Sequence, residues 1–164
     1  MKKVMVIGSP GAGKSYFSKR LKEITKLPLY HLDMIYHNED GTHISKEEFK
    51  EKLEEIVKLP EWIIDGNYQR TLEIRLKECD TVVLLDYTTE ACLQGAEQRI
   101  GSKRDDLPWQ EEKLDDEFKK LIQDFAKDKL PKIYELLDKY KEEKEIIVFK
   151  NRKEADEYIE NFKI

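Results

Sequence analysis

The sequence predicts an α/β fold in which a five-stranded parallel sheet carries helices on both faces, a three-layer sandwich. Three observations predict it. Five short apolar segments alternate with stretches of helical period, which is the pattern of a buried parallel sheet with covering helices. The first apolar segment runs directly into Gly8-Ser9-Pro10-Gly11-Ala12-Gly13-Lys14-Ser15, a match to G-x-x-x-x-G-K-[ST], and a helical pattern follows. The length of 164 residues suits one domain, and the chain has no internal repeat or low-complexity linker, so residues 1–164 are expected to form a single unit.

Each element has a local reason. Val4 to Ile7 reads as a short buried strand, and Phe17, Leu21 and Ile24 give Tyr16 to Ile24 a helical stripe. Leu29 to His31 is the second strand. Ser45 with Glu48 has the form of a capping box ahead of Phe49, Leu53, Ile56 and Val57. Trp62 to Ile64 is a third strand, stopped by Asp65-Gly66, and a short helix is expected from Thr71 to Lys77. Val82 to Leu85 precedes a helix from Glu90 to Arg99. Leu114 to Phe125 is expected to be helical with Leu114, Phe118, Leu121, Ile122 and Phe125 on one face; Pro131 opens another helix, striped by Ile133, Leu136, Leu137 and Tyr140. The fifth strand is Glu145 to Phe149, and Asn151 with Glu154 caps the last helix.

Composition narrows the function classes. Charged residues make up 40% and hydrophobic residues 39%, interleaved as amphipathic helices require. No apolar run approaches the roughly 20 residues that span a bilayer, and the amino terminus has no signal-peptide core, so a soluble cytoplasmic protein without a membrane partner is expected. Cys79 and Cys92 form no C-x-x-C pair and are expected to pack. A net charge of −5 offers no basic stripe for duplex DNA, which makes direct DNA binding an unfavourable reading. His31, His37 and His43 fit neither H-x₃₋₅-H nor a helical i, i+4 pair, so a zinc site is rejected.

The glycine-rich segment implies a nucleoside triphosphate site. Gly8, Gly11 and Gly13 permit tight turns and close approach of backbone N–H groups to phosphates, with Pro10 and Ala12 completing the loop. Lys14 is placed to reach the β and γ phosphates, Ser15 to ligate Mg²⁺, and Tyr16 to adjoin the nucleotide. Asp65, ending a strand beside this loop, is a candidate to hold a magnesium-bound water; a simple Asp-Gly turn is the alternative. Asp33 follows the second strand at the carboxyl edge of the sheet, where it would face a second substrate and accept a hydroxyl proton, or merely cap a helix. Arg70 and Arg75 flank a short helix and are candidate acceptor-binding forks, with a surface ion pair the alternative for one of them. Residues 100–110 have the form of a lid, with Arg99 placed to stack on a base and Lys103 and Arg104 to reach transferring phosphates, unless the segment is only a solvated connector.

The phosphate loop, His31-Leu32-Asp33, the segment Trp62 to Tyr68 with Arg70-Thr71-Leu72, Arg75-Leu76 and Asp80, and the stretch from Lys103-Arg104 to Trp109 together resemble the small P-loop kinases related to adenylate kinase. They are most similar to the bacterial DNA topology modulation proteins grouped with them. The resemblance runs nearly end to end. It implies a sheet of order 2-3-1-4-5, ATP and Mg²⁺ as cofactors, a short lid, and an acceptor pocket after the second strand. By position it places Asp65 on the magnesium-linked aspartate and Arg70 near the monophosphate-binding arginine, with transfer charge from Lys14, Arg99 and Arg104. The expected activity is transfer of a γ-phosphoryl group to a small-molecule acceptor, a nucleoside monophosphate or nucleoside. A nucleotide-binding regulatory protein and a small NTP hydrolase are the alternatives.

Overall fold

A computed structural model describes residues 1–98 and 116–163. In chain order the elements are β1 (Lys3–Gly8), α1 (Lys14–Thr25), β2 (Leu29–His31), α2 (Leu32–Tyr36), α3 (Lys46–Val57) and β3 (Trp62–Asp65). A 3₁₀ turn (Gln69–Thr71) leads into α4 (Leu72–Glu78), then β4 (Thr81–Leu85) and α5 (Thr89–Gln98). Beyond residue 115 come α6 (Asp116–Asp124), a π-helical segment (Phe125–Lys129), α7 (Leu130–Tyr140), β5 (Glu145–Phe149) and α8 (Arg152–Glu160). All strand pairs are parallel, and the order is β2-β3-β1-β4-β5, as the family resemblance implied.

The alternation of a strand's side chains divides the interior into two layers. Met5 and Ile7 of β1 point into one cluster with Leu53, Trp62, Ile64, Leu76, Leu84 and Leu137; Val4 and Val6 point into the other with Phe17, Leu21, Ile63, Val83, Cys92 and Ile159. Thus α3, α4 and α7 cover one face, and α1, α5 and α8 cover the opposite one. The central strands are buried on both sides, which is why they read as uninterrupted apolar runs rather than alternating ones. Both predicted caps are present: Ser45 Oγ accepts from the Glu48 N–H at 3.1 Å, and Asn151 Oδ1 from the Glu154 N–H at 2.9 Å.

The helical stretch after residue 115 departs from expectation. Leu114 lies outside the described residues, Leu121 is 57% exposed, and Ile122 and Phe125 enter different layers of the core. The cause is local. Pro131 has no N–H to bond the carbonyl four residues back, and the wider π turn just ahead of it lets the chain cross from one face of the sheet to the other without losing its helical path. Residues 32–36, to which the sequence pattern assigned no element, form the single-turn helix α2. Among the described residues no helix is long and apolar enough to cross a membrane.

Candidate functional site

The carboxyl ends of β1, β2 and β3 bring the first part of the site together. Between β1 and α1 the chain turns through Gly11 at φ 84° and Gly13 at φ 91°, left-handed conformations that a side chain disfavours. Gly13 occupies the N-cap of α1 and supplies no capping side chain to the first-turn N–H groups, in contrast to the caps of α3 and α8. Lys14 Nζ lies over the loop, donating to the carbonyls of Gly8 at 3.1 Å and Ser9 at 3.0 Å. Ser15 Oγ is buried and has no hydrogen-bond partner among the described residues.

That orphaned hydroxyl tests whether Mg²⁺ fits. A buried hydroxyl without a partner is costly unless a ligand satisfies it, and Mg²⁺ is held by one or two protein oxygens plus phosphates and waters rather than by a full protein cage. Asp65 supplies a carboxylate from the end of β3. It is 6% exposed, and its Oδ2 lies 2.7 Å from His31 Nδ1, which fixes the orientation of the carboxylate. Ser15 and Asp65 therefore have the chemistry to hold the ion, which would supply positive charge to offset that of the phosphates.

Asp33 sits in the first turn of α2, half-buried, and accepts a short hydrogen bond from Tyr68 Oη. Burial, reinforced by the Asp33 carboxylate, holds the Tyr68 hydroxyl far above its usual range, so it remains a donor. Arg70 is exposed in the 3₁₀ turn. Arg75 departs from the acceptor-binding role: it is 0% exposed, and its guanidinium donates to the backbone carbonyls of Gly66 at 2.7 Å, of Asn67, and of Tyr68 at 3.2 Å. Burial draws the guanidinium down to about 9 against the partial opposition of Cys79, Asp65 and Tyr68, and it is still protonated at neutral pH. It braces the chain after β3 from inside. Arg99, Lys103, Arg104 and the predicted lid at 100–110 lie outside the described residues.

Tyr16 is 49% exposed, with the Arg152 guanidinium 4.8 Å and the Arg20 guanidinium 5.3 Å from its ring centroid. Arg152 also reaches the phosphate loop, ending 3.9 Å from where a Cβ on Gly13 would stand. The sequence reading passed over Arg152. The available signal was its place, one residue after the Asn151 cap, where β5 meets the ligand-binding edge of the sheet. Two further residues were missed. Asn67 clamps Gly8, its Oδ1 accepting from the Gly8 N–H and its Nδ2 donating to the Gly8 carbonyl. Gly95, inside α5, lets that helix approach so closely that a Cβ there would fall 2.3 Å from the Gly11 carbonyl oxygen. A glycine within a helical pattern is the kind of mark that signals a close packing contact.

No protein-family model matches the chain, and no curated protein matches it. Several solved structures do. A gluconokinase from Sinorhizobium meliloti 1021 superposes with a TM-score of 0.59 at 13% identity, covering 97% of this chain and 87% of that one. A shikimate kinase from Acinetobacter baumannii, in complex with shikimate, gives 0.58 at 17% identity over 98% and 89%. A deoxyadenosine kinase from M. mycoides with bound dCTP gives 0.50 at 15% identity over 96% of each chain. At such identities the likeness establishes the fold, that of the small P-loop kinases.

Proposed function

We propose that the protein is a Mg²⁺-dependent, ATP-using phosphotransferase whose acceptor is a small molecule, a nucleoside monophosphate or a nucleoside. The observation that carries this reading is the uncapped start of α1 behind a glycine loop, with Lys14 over the loop and the partnerless Ser15 hydroxyl within it. The loop amides and Lys14 bind the triphosphate, Ser15 and Asp65 hold the ion, and Arg99 and Arg104 close over the phosphates. The bond from the γ-phosphorus to the acceptor oxygen forms as the β–γ bridging bond breaks, releasing ADP. With a hydroxyl acceptor Asp33 takes the proton; with a phosphate acceptor Asp33 and Arg70 only orient it. The burial of Arg75 favours the nucleoside, because a monophosphate would meet Arg70 alone of the two guanidinium groups in that segment, and would do so beside a carboxylate.

The test is ATP consumption with Mg²⁺ against a panel of nucleosides, nucleoside monophosphates and small alcohols, read by mass spectrometry of the products. A phosphorylated acceptor supports the proposal, and Lys14→Ala should then lower turnover by about 10²–10³-fold while remaining folded. Release of inorganic phosphate alone makes the protein an NTP hydrolase. Binding without turnover favours a nucleotide-dependent regulator.

A further inference from the structure

Asn67 and Tyr68 are adjacent in sequence but attach to two different parts of the site. Asn67 holds both backbone groups of Gly8, accepting at 3.1 Å and donating at 2.6 Å across 59 residues of sequence. Tyr68 donates its hydroxyl to Asp33, and its ring packs on Phe49 and Tyr36 at 5.0 and 5.4 Å between centroids. The backbone joining them is held in an unusual state. Tyr68 has φ 37°, a left-handed conformation that a bulky residue avoids, and the buried Arg75 guanidinium fixes the carbonyls of Gly66, Asn67 and Tyr68 around it. Strain retained by surrounding structure at such a point is a mark of function rather than of folding economy.

The Gly8 carbonyl is the input. It accepts from Lys14 Nζ as well as from Asn67 Nδ2. Phosphates that draw the Lys14 ammonium away remove that hydrogen bond and strengthen the dependence of Gly8 on Asn67. We propose that the Asn67-Tyr68 pair couples the phosphate loop to Asp33, so that nucleotide on the loop sets the position of the carboxylate that meets the acceptor. Both are positioning residues. The inference rests on reading Gly8–Ser15 as the nucleotide loop and Asp33 as acceptor-facing. It adds that the two halves of the site are energetically linked, and couplings between sites are commonly worth about 5- to 150-fold in affinity.

Amide hydrogen exchange of the full chain with and without Mg²⁺ and the non-hydrolysable analogue AMP-PNP tests this without knowledge of the acceptor. In the parent protein the analogue should slow exchange in residues 8–16, 66–71 and 31–36. Tyr68→Phe keeps the ring but deletes the hydroxyl; it should bind the analogue within about threefold of the parent, retain protection at 66–71 and lose it at 31–36. Asn67→Ala should lose protection at both segments. With an acceptor in hand, Tyr68→Phe should lower kcat per titrated nucleotide-binding site and leave KM for ATP unchanged; referring kcat to titrated sites removes any contribution from a smaller folded fraction. Equal protection of 31–36 in Tyr68→Phe and the parent overturns the coupling. So does a parent protein whose loop responds while 31–36 does not, and in that case the nucleotide reading stands. No response in the loop itself overturns both.

Discussion

Replacing Gly95 with alanine sets two calculable effects against each other. Within a helix, alanine is better than glycine by about 1 kcal/mol, so α5 taken alone would be stabilised. The added methyl, however, would stand 2.3 Å from the Gly11 carbonyl oxygen and 3.5 Å from its carbon. Ordinary contact needs roughly 1 Å more, and both atoms in question belong to backbone, so neither can swing aside as a side chain would. The loop must yield, because α5 is anchored beneath by Cys92 and Ala96. Overpacking of this kind costs about 1–3 kcal/mol, of which the helix-propensity gain offsets about 1 kcal/mol, leaving a net loss of about 0–2 kcal/mol. The displaced Gly11 is part of the phosphate cradle, and a shift near 1 Å in binding groups costs up to about 10²-fold. The expected outcome is an apparent Tm lower by about 0–8 °C and an affinity for Mg²⁺-ATP reduced about 10- to 100-fold. Calorimetric titration and a thermal melt on the same preparation measure both. Gln94→Ala, at an exposed position of the same helix, is the control. Parent-like affinity for Gly95→Ala would refute the reasoning, since the methyl would then be accommodated without moving the loop.

Three further outcomes follow from single residues. Ser15→Ala removes a buried hydroxyl that has no partner, so stability should hold or rise by up to about 1 kcal/mol, while Mg²⁺ should no longer strengthen nucleotide binding; titrations with Mg²⁺ and with EDTA separate the two effects. Arg75→Met keeps much of the volume but removes the guanidinium donor from the Gly66, Asn67 and Tyr68 carbonyls, of which Tyr68 keeps its bonds from Thr71, and a loss of about 2–4 kcal/mol, or roughly 5–15 °C in Tm, is expected from chemical and thermal unfolding. Asp80 accepts from the amides of Lys2 and Lys3 and from the Thr81 hydroxyl. Burial would raise its pKa, but those hydrogen bonds outweigh burial and hold it below the ordinary 3.8. A carboxyl with a lowered folded-state pKa binds its proton less tightly in the native chain. Its stabilisation is therefore present above the unfolded value and lost as pH falls through the folded one. Asp80→Asn should lower Tm by about 2–4 °C at pH 7, near 1 kcal/mol after solvent screening, and the difference should close below about pH 4.

Much of the architecture was legible from local chemistry. Apolar runs buried on both faces, the side-chain caps at Ser45 and Asn151, and the strand–glycine loop–helix passage at Gly8 to Ser15 all act within a few residues, so the sequence carries them openly. Residues 32–36 were assigned no element because one turn of helix carries too few residues to show a period. The bend before Pro131 was missed for a different reason: the change of layer between Ile122 and Phe125 depends on where the sheet ends, and a helical stripe does not report that.

At the site the division is similar. Residue type and spacing alone determined the glycine loop, its lysine, the Ser15 hydroxyl, the carboxylate that ends β3 and the one in the first turn of α2. Tertiary structure decided the partners. An arginine ten residues from the end of a strand reads the same whether it faces a ligand or turns inward, and only the packing of α4 against β1 sent Arg75 into the interior to brace Gly66, Asn67 and Tyr68. Likewise Asn67 on Gly8, Gly95 against Gly11 and Arg152 beside Gly13 join segments 59 or more residues apart, and such contacts exist only once the sheet has set its strand order.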